Sequence, residues 1–158
     1  MLIDMWDQVE RFYIPWSIAI ILAIALLGLC KWQPRWGRRG FALLWLFGGL
    51  VNVYLAWIYP RDYLQFGRFT FLPFYRRFIY MILFRQAVWM GGLLIVWHVY
   101  LAFLFFRPKP LSSFSIGLAS ILLLLLTPLG FGSGFPATLI LMLGLYLLYR
   151  TETEKRGT

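Results

Sequence analysis

His98 is the only histidine of the chain, and it lies in the apolar sequence IVWHVYLAF. A neutral imidazole in a membrane span can be an axial ligand to haem iron or to the magnesium of a chlorophyll-type pigment, and ionisable groups inside spans are functional candidates. Haem with two histidine ligands needs a second one from a partner subunit, whereas a pigment needs only one. The alternative is a hydrogen bond from His98 to a neighbouring helix. The sequence therefore indicates His98 as a candidate cofactor-binding residue.

Three arginines flank or enter the same apolar stretch. Arg76 and Arg77 precede it, and Arg85 lies inside it. Long basic side chains extend toward the membrane surface and contact anionic lipid headgroups there. Arg85 has a second interpretation, in which it binds an anionic group or a quinone oxygen. We expect lipid or anion contact for all three.

Small and polar residues predict where the helices pack. Glycines let helix backbones approach closely in a membrane, and a buried amide needs a hydrogen-bond partner. In antiparallel spans the two glycine pairs lie at different depths, so each pair is expected to contact another helix of this chain or of a partner. The predicted packing residues are Gly48, Gly49, Asn52, Gly91 and Gly92.

The residues for most catalytic chemistry are missing from the sequence. There is no HExxH motif, no paired carboxylates and no Ser/His/Asp set, so we expect no enzyme. No acidic residue falls inside a predicted span, which disfavours a proton- or cation-coupled transporter. Cys30 is the only cysteine, so neither an intrachain disulfide nor a cysteine-based metal site can form.

The composition is that of an integral membrane protein. Of the 158 residues 61% are hydrophobic and 13% are charged, about half the charged share of a soluble domain. The net charge of +9 comes from basic residues that cluster at the ends of apolar runs, which predicts contact with lipid headgroups and no nucleic acid. We expect the bacterial cytoplasmic membrane or an organelle equivalent.

Apolar runs divide the chain into about five predicted transmembrane helices within one domain, residues 1–158. The predicted spans are residues 13–30, 41–59, 84–106, 112–129 and 137–149. Residues 1–12 are predicted to form a short amphipathic helix at the interface, separated from the first span near Pro15. Residues 60–77, rich in aromatics, are predicted to lie in the interface as well. The fold class is therefore all-α.

Orientation is predicted from the loop KWQPRWGRRG. It holds four basic residues, Lys31, Arg35, Arg38 and Arg39. Cytoplasmic loops carry an excess of lysine and arginine, so this loop and the C-terminus are expected inside and the N-terminus outside.

Three functional hypotheses follow from these observations. The first is a non-catalytic accessory or assembly subunit that contacts lipids and other integral-membrane subunits. The second is a subunit that binds haem or a chlorophyll-type pigment through His98. The third is a small membrane protein that binds a lipid or another hydrophobic ligand. The sequence favours the first, since it offers much aromatic and glycine contact surface and no catalytic set.

Overall fold

The computed structural model describes residues 2–70, 72–129 and 135–154, with side chains from residue 13 onward. Within these residues the chain is entirely helical and contains no strand. The α-helices are α1 (Leu2–Trp32), α2 (Pro34–Val53), α3 (Tyr63–Phe69), α4 (Pro73–Phe78), α5 (Ala87–Phe106), α6 (Ser113–Leu126) and α7 (Ala137–Glu154). The prediction of an all-α protein is confirmed.

Three helices are long and apolar enough to cross a membrane. They are Tyr13–Trp32, Pro34–Ile58 and Ala87–Phe106. The stretch Ser113–Leu129 is apolar but shorter. Large apolar side chains point outward along the long helices, as expected where lipid surrounds them. These features indicate an integral membrane protein.

The first helix differs from its prediction. Residues 1–12 were expected to form a separate interfacial helix, but α1 runs without a break from Leu2 to Trp32 and holds Pro15 in its interior. Proline removes one backbone hydrogen bond from a helix, a loss that apolar helices in membranes tolerate. The predicted boundary at Pro15 is therefore wrong. The side chains of residues 2–12 lie outside the described part of the chain.

The long helices pack side by side with α2 against α5, α1 against both α2 and α7, and α6 against α7. At one end of the bundle, called the basic end here, α1, α5 and α7 finish and α2 and α6 begin. At this end Gly37 of α2 packs closely against Cys30 of α1. The contact leaves no room for a larger residue at Gly37. The buried core extends from here through Phe41, Trp45 and Phe105.

The segment between α2 and α5 occupies the opposite end, called the loop end here. It contains π-helical turns at Tyr54–Ile58 and Ile79–Leu83, and α3 and α4 lie between them. Thr70 donates a 2.5 Å hydrogen bond to the carbonyl of Pro128 in the stretch that follows α6. Residues 130–134, between the last two predicted spans, lie outside the described part of the chain.

Candidate functional site

A cavity of about 380 Å³ lies within the bundle, between the core and the loop end. All five of the longer helices contribute to its wall, together with α3 and both π-helical turns. Its lining is mostly apolar, with leucine the commonest residue and with a few polar side chains. Residues that line it include Trp16, Ala19, Leu44, Trp45, Gly48, Asn52, Leu55, Tyr63, Leu83, Leu94, His98, Leu123, Leu126, Thr138 and Leu141.

His98 lies on the wall that α5 contributes, and it is only 4% exposed. Its Nδ1 is 2.7 Å from the carbonyl oxygen of Leu94, one helical turn earlier. A carbonyl only accepts hydrogen bonds, so Nδ1 carries the proton and donates it. The sequence prediction that His98 serves a neighbouring helix through a hydrogen bond is not what the structure shows, because the bond stays within α5.

Gly48 makes room for the imidazole at the α2–α5 contact. A Cβ atom at Gly48 would come within 2.5 Å of His98 Cδ2 and 2.6 Å of Nε2, closer than side chains tolerate. At the next position, Gly49, a Cβ would lie 3.4 Å from His98 Cβ, at the edge of ordinary contact. The Cδ2–Nε2 edge of the ring therefore lies directly over the backbone of Gly48.

A short hydrogen-bonded chain follows the same seam toward the loop end. Asn52 donates through Nδ2 to the carbonyl of Gly48 at 2.9 Å, and Tyr63 donates its hydroxyl to Asn52 Oδ1 at 3.1 Å. Burial raises the pKa of Tyr63 to about 12, so its phenol stays protonated at neutral pH. Gly91 makes room for this arrangement, since a Cβ there would overlap Ala56 and lie 3.0 Å from the Tyr63 hydroxyl. Each of these groups has a partner.

Trp45 is the exception on the cavity wall. Its indole is 2% exposed and packs edge-on toward His98, with ring centroids 6.0 Å apart. Its Nε1–H is buried and has no hydrogen-bond partner among the described residues. A buried donor without a partner costs about 1–3 kcal/mol, and such groups in a native structure call for a specific explanation.

Four of the five predicted packing residues lie together. Gly48, Gly49, Asn52 and Gly91 lie on the seam between α2, its π-helical extension and α5, whereas a Cβ at Gly92 would meet nothing within 4 Å. The structure therefore places one glycine pair and half of the other at different levels of one interface.

The three arginines predicted to contact lipid or anions lie at the loop end, away from the cavity. Arg76 donates to the carbonyls of Gly67 at 3.2 Å and Thr70 at 3.4 Å, where α3 ends. Arg77 is exposed. Arg85 was predicted to lie within a span, but α5 begins only at Ala87, and Arg85 is exposed in the turn before it.

The four basic residues predicted to set the topology lie at the basic end, and one of them makes an extensive network. Lys31, Arg35 and Arg39 are exposed, and Arg39 lies over the ring of Trp36, 5.0 Å from its centroid. Arg38 is largely buried instead. Its guanidinium donates to backbone carbonyls at the end of α5, among them that of Phe105 at 2.8 Å.

Glu152 of α7 completes the Arg38 network. Its Oε1 is 3.4 Å from Arg38 Nη1, and its other oxygen accepts a hydrogen bond from the backbone N–H of Leu111. The pair ties α2, α5 and α7 to the start of α6. Carbonyls at a helix end have no partner within the helix, so this arginine serves as a cap for α5.

The haem or chlorophyll hypothesis for His98 stays a prediction. Nδ1 is engaged with Leu94, so Nε2 is the nitrogen that axial ligation would use. Among the described residues no group of three or more His, Cys, Asp or Glu is arranged to hold a metal ion.

The sequence reasoning missed Trp45, Tyr63 and Glu152. A signal for Trp45 was present, because it precedes Gly48 and Asn52 at spacings of three and seven residues and so shares their helix face. Tyr63 and Glu152 are brought to their partners by tertiary packing, for which the local sequence has no signal. Comparisons with protein-family models, with curated proteins and with solved structures find no match to this chain.

Proposed function

We propose that this chain is a small integral-membrane protein that binds a hydrophobic ligand in the cavity within its helical bundle. The observation that carries the proposal is the cavity itself, with its leucine-rich wall and with His98 among the few polar side chains that line it. Binding sites for small molecules are concave and mostly apolar, with a few placed polar groups, and they range over roughly 300–1,000 Å³. The cavity here has each of these properties.

The environment of the cavity supports a ligand that comes from the lipid phase. Leucines from α2, α5, α6 and α7 form much of its wall, and no charged side chain lines it. The charged side chains lie toward the two ends of the bundle. A polar metabolite would lose its hydration there without recovering equivalent hydrogen bonds. An apolar molecule with a small polar end meets no such penalty.

For the membrane arrangement we propose five spans, formed by α1, α2, α5, α6 and α7, with the basic end in the cytoplasm. The helix ends that meet at Arg38 and Glu152 are consistent with alternating directions along the chain. The basic residues near this end follow the positive-inside rule. In a Cys30→Ala background, Arg35→Cys should react with an impermeant thiol reagent only after the membrane is opened, and Arg61→Cys without opening. The reverse pattern would contradict the orientation.

The binding proposal is tested with farnesol, a flexible isoprenoid alcohol, added to the purified chain in nanodiscs or mild detergent. Native mass spectrometry should show a single farnesol bound per chain, and the melting temperature should rise with farnesol concentration, since a ligand of the native state stabilises it. Ala19→Phe places a ring in the cavity from α1 and should abolish both effects.

Ala25→Phe is the matched control for Ala19→Phe. It makes the same change on the same helix, but Ala25 is exposed and does not line the cavity. This variant should bind farnesol like the unaltered chain. If both variants bind alike, or if the unaltered chain binds no farnesol, the cavity is not the ligand site and the proposal fails.

A second candidate function is the accessory subunit favoured by the sequence. The observation in its favour is that Gly92 of α5 and Gly117 of α6 have open space where a Cβ would lie, so a helix of another protein has access to the backbone. Gly92→Leu and Gly117→Leu should then release the chain from a larger complex in native gels of gently solubilised membrane. Migration of the unaltered chain as a monomer would argue against this candidate.

A further inference from the structure

We infer that the ligand of the cavity ends in a hydroxyl group, which donates a hydrogen bond to His98 Nε2. The inference rests on the proposed ligand-binding function and specifies the chemistry that the cavity selects. It depends on the protonation of His98, on its unused nitrogen and on the partners of the other polar groups in the wall.

The protonation of the imidazole is fixed within α5. Because Nδ1 donates to the carbonyl of Leu94, a neutral ring has its lone pair at Nε2, which is therefore an acceptor. The three long apolar helices contain no aspartate or glutamate in Tyr13–Trp32, Pro34–Ile58 or Ala87–Phe106. A protonated imidazolium would have no counter-ion there, so the neutral form is the stable one.

The acceptor at Nε2 is not used by the protein. Among the described residues it has no hydrogen-bond partner, although His98 lines the cavity. Gly48, which also lines the cavity, leaves this edge of the ring without a covering side chain. Gly48 thus provides both the space for the imidazole and an open approach to its nitrogen.

The other polar side chains of the wall have partners of their own. Asn52 bonds to Gly48 and Tyr63, and Thr138 bonds to Thr127 at 3.1 Å. Trp45 Nε1 has no partner among the described residues, but it is buried too fully for a ligand in the cavity to reach. His98 Nε2 is therefore the acceptor that the wall offers to a ligand.

A hydroxyl group matches this acceptor better than other oxygen groups do. An alcohol donates a hydrogen bond to Nε2, while a ketone, ester or ether oxygen only accepts and leaves Nε2 unpaired. A carboxylate would bring a charge into an apolar cavity without a cation beside it. The geometry therefore points to an alcohol with an apolar body, such as an isoprenoid or fatty alcohol.

The test compares farnesol with farnesyl methyl ether, which keeps the oxygen and the chain but cannot donate. For the unaltered chain we expect farnesol to bind about tenfold more tightly, since a site built for a donor is left unpaired by the ether. In His98→Phe the preference should fall to about one, with the ether still bound.

Trp97→Phe is the control for His98→Phe. It changes the neighbouring ring of α5, and Trp97 does not line the cavity. This variant should keep the affinity and the preference of the unaltered chain. Loss of the preference in both variants would overturn the role of His98.

The comparison in the unaltered chain needs no variant and separates the two levels of the proposal. Equal binding of farnesol and its ether, or tighter binding of the ether, overturns the inference about the hydroxyl and leaves the cavity as a ligand site. If neither compound binds, the proposed function falls, and the inference falls with it.

Discussion

The basic end and the cavity treat buried polar groups in opposite ways. At the basic end, the guanidinium of Arg38 is shared among several carbonyls and Glu152, whose second oxygen takes the Leu111 N–H. On the cavity wall, His98 Nε2 has no partner among the described residues. Both regions are buried by the same helices, so the difference does not come from burial alone.

This contrast separates polar residues that hold the fold from polar residues that are available to a ligand. A fully satisfied network stabilises one arrangement of the helices and has nothing left to offer another molecule. An acceptor without a partner, such as His98 Nε2, still has a hydrogen bond to offer the proposed ligand. The two regions therefore predict opposite results for substitution: loss of stability at one, and loss of binding at the other.

The largest effect is expected for Arg38→Met. It removes the ion pair with Glu152 and leaves carbonyls at the end of α5 without their donor, which should lower the free energy of unfolding by about 3 kcal/mol. Unfolding by sodium dodecyl sulfate in mixed micelles, followed by circular dichroism, measures the change. Farnesol binding to the fraction that remains folded should be unchanged.

Arg39→Met is the control for Arg38→Met. It removes the same charge one residue away, but Arg39 is exposed and contacts only the ring of Trp36. Its cost should stay within about 1 kcal/mol. Equal destabilisation by the two changes would mean that the charge itself matters and the network at the basic end does not.

Gly48→Ala tests the cavity in the same way. The added methyl group overlaps the Cδ2–Nε2 edge of His98 and must displace the ring, so farnesol binding should weaken about tenfold. Gly49→Ala makes the identical change at a position with ordinary contact distances and should leave binding as it is. Titration in nanodiscs measures both affinities, and similar affinities for the two variants would contradict the role of Gly48.

Tyr63→Phe tests a polar side chain of the cavity wall that already has a partner in the protein. It removes the hydrogen bond to Asn52 and leaves that amide oxygen buried, which should cost about 1 kcal/mol of stability. Tyr59→Phe removes a hydroxyl from an exposed ring nearby and should have no comparable effect on detergent unfolding. The farnesol-over-ether preference should survive in both, since neither residue is assigned to the ligand hydroxyl.

The smallest effect is expected for Glu154→Gln. Its ion pair with Arg150 is 2.7 Å long, but both side chains are more than 60% exposed. Exposed pairs of this kind contribute little, because water screens them. Unfolding midpoints should be indistinguishable from those of the unaltered chain. A shift as large as that of Arg38→Met would show that exposure does not distinguish the pairs of α7.

The sequence was sufficient for the all-helical fold and for the long apolar helices, because both follow from composition and run length. The boundary at Pro15 was wrong, because packing within the bundle outweighs the local preference of proline for a helix start. The sequence also singled out His98 and Gly48 without connecting them. Their contact depends on how α2 and α5 cross, which apolar patterns do not encode.

The role of Arg38 also could not be predicted from the local sequence. As a residue of a basic loop it predicted topology, and nothing local distinguished it from its neighbour Arg39. Only the meeting of α2, α5 and α7 places its guanidinium among carbonyls. The cavity likewise arises from the sum of several helices, so no single stretch of the sequence could indicate it.

The π-helical turn Tyr54–Ile58 has a consequence for the evolution of chain length. Such a turn holds one residue more than an α-helical turn, and here it carries the buried Leu55 and Ala56 against α5. Each residue of a helix advances the side-chain direction by about 100°. Loss or gain of one residue between Asn52 and Tyr63 would therefore rotate everything downstream away from its partners.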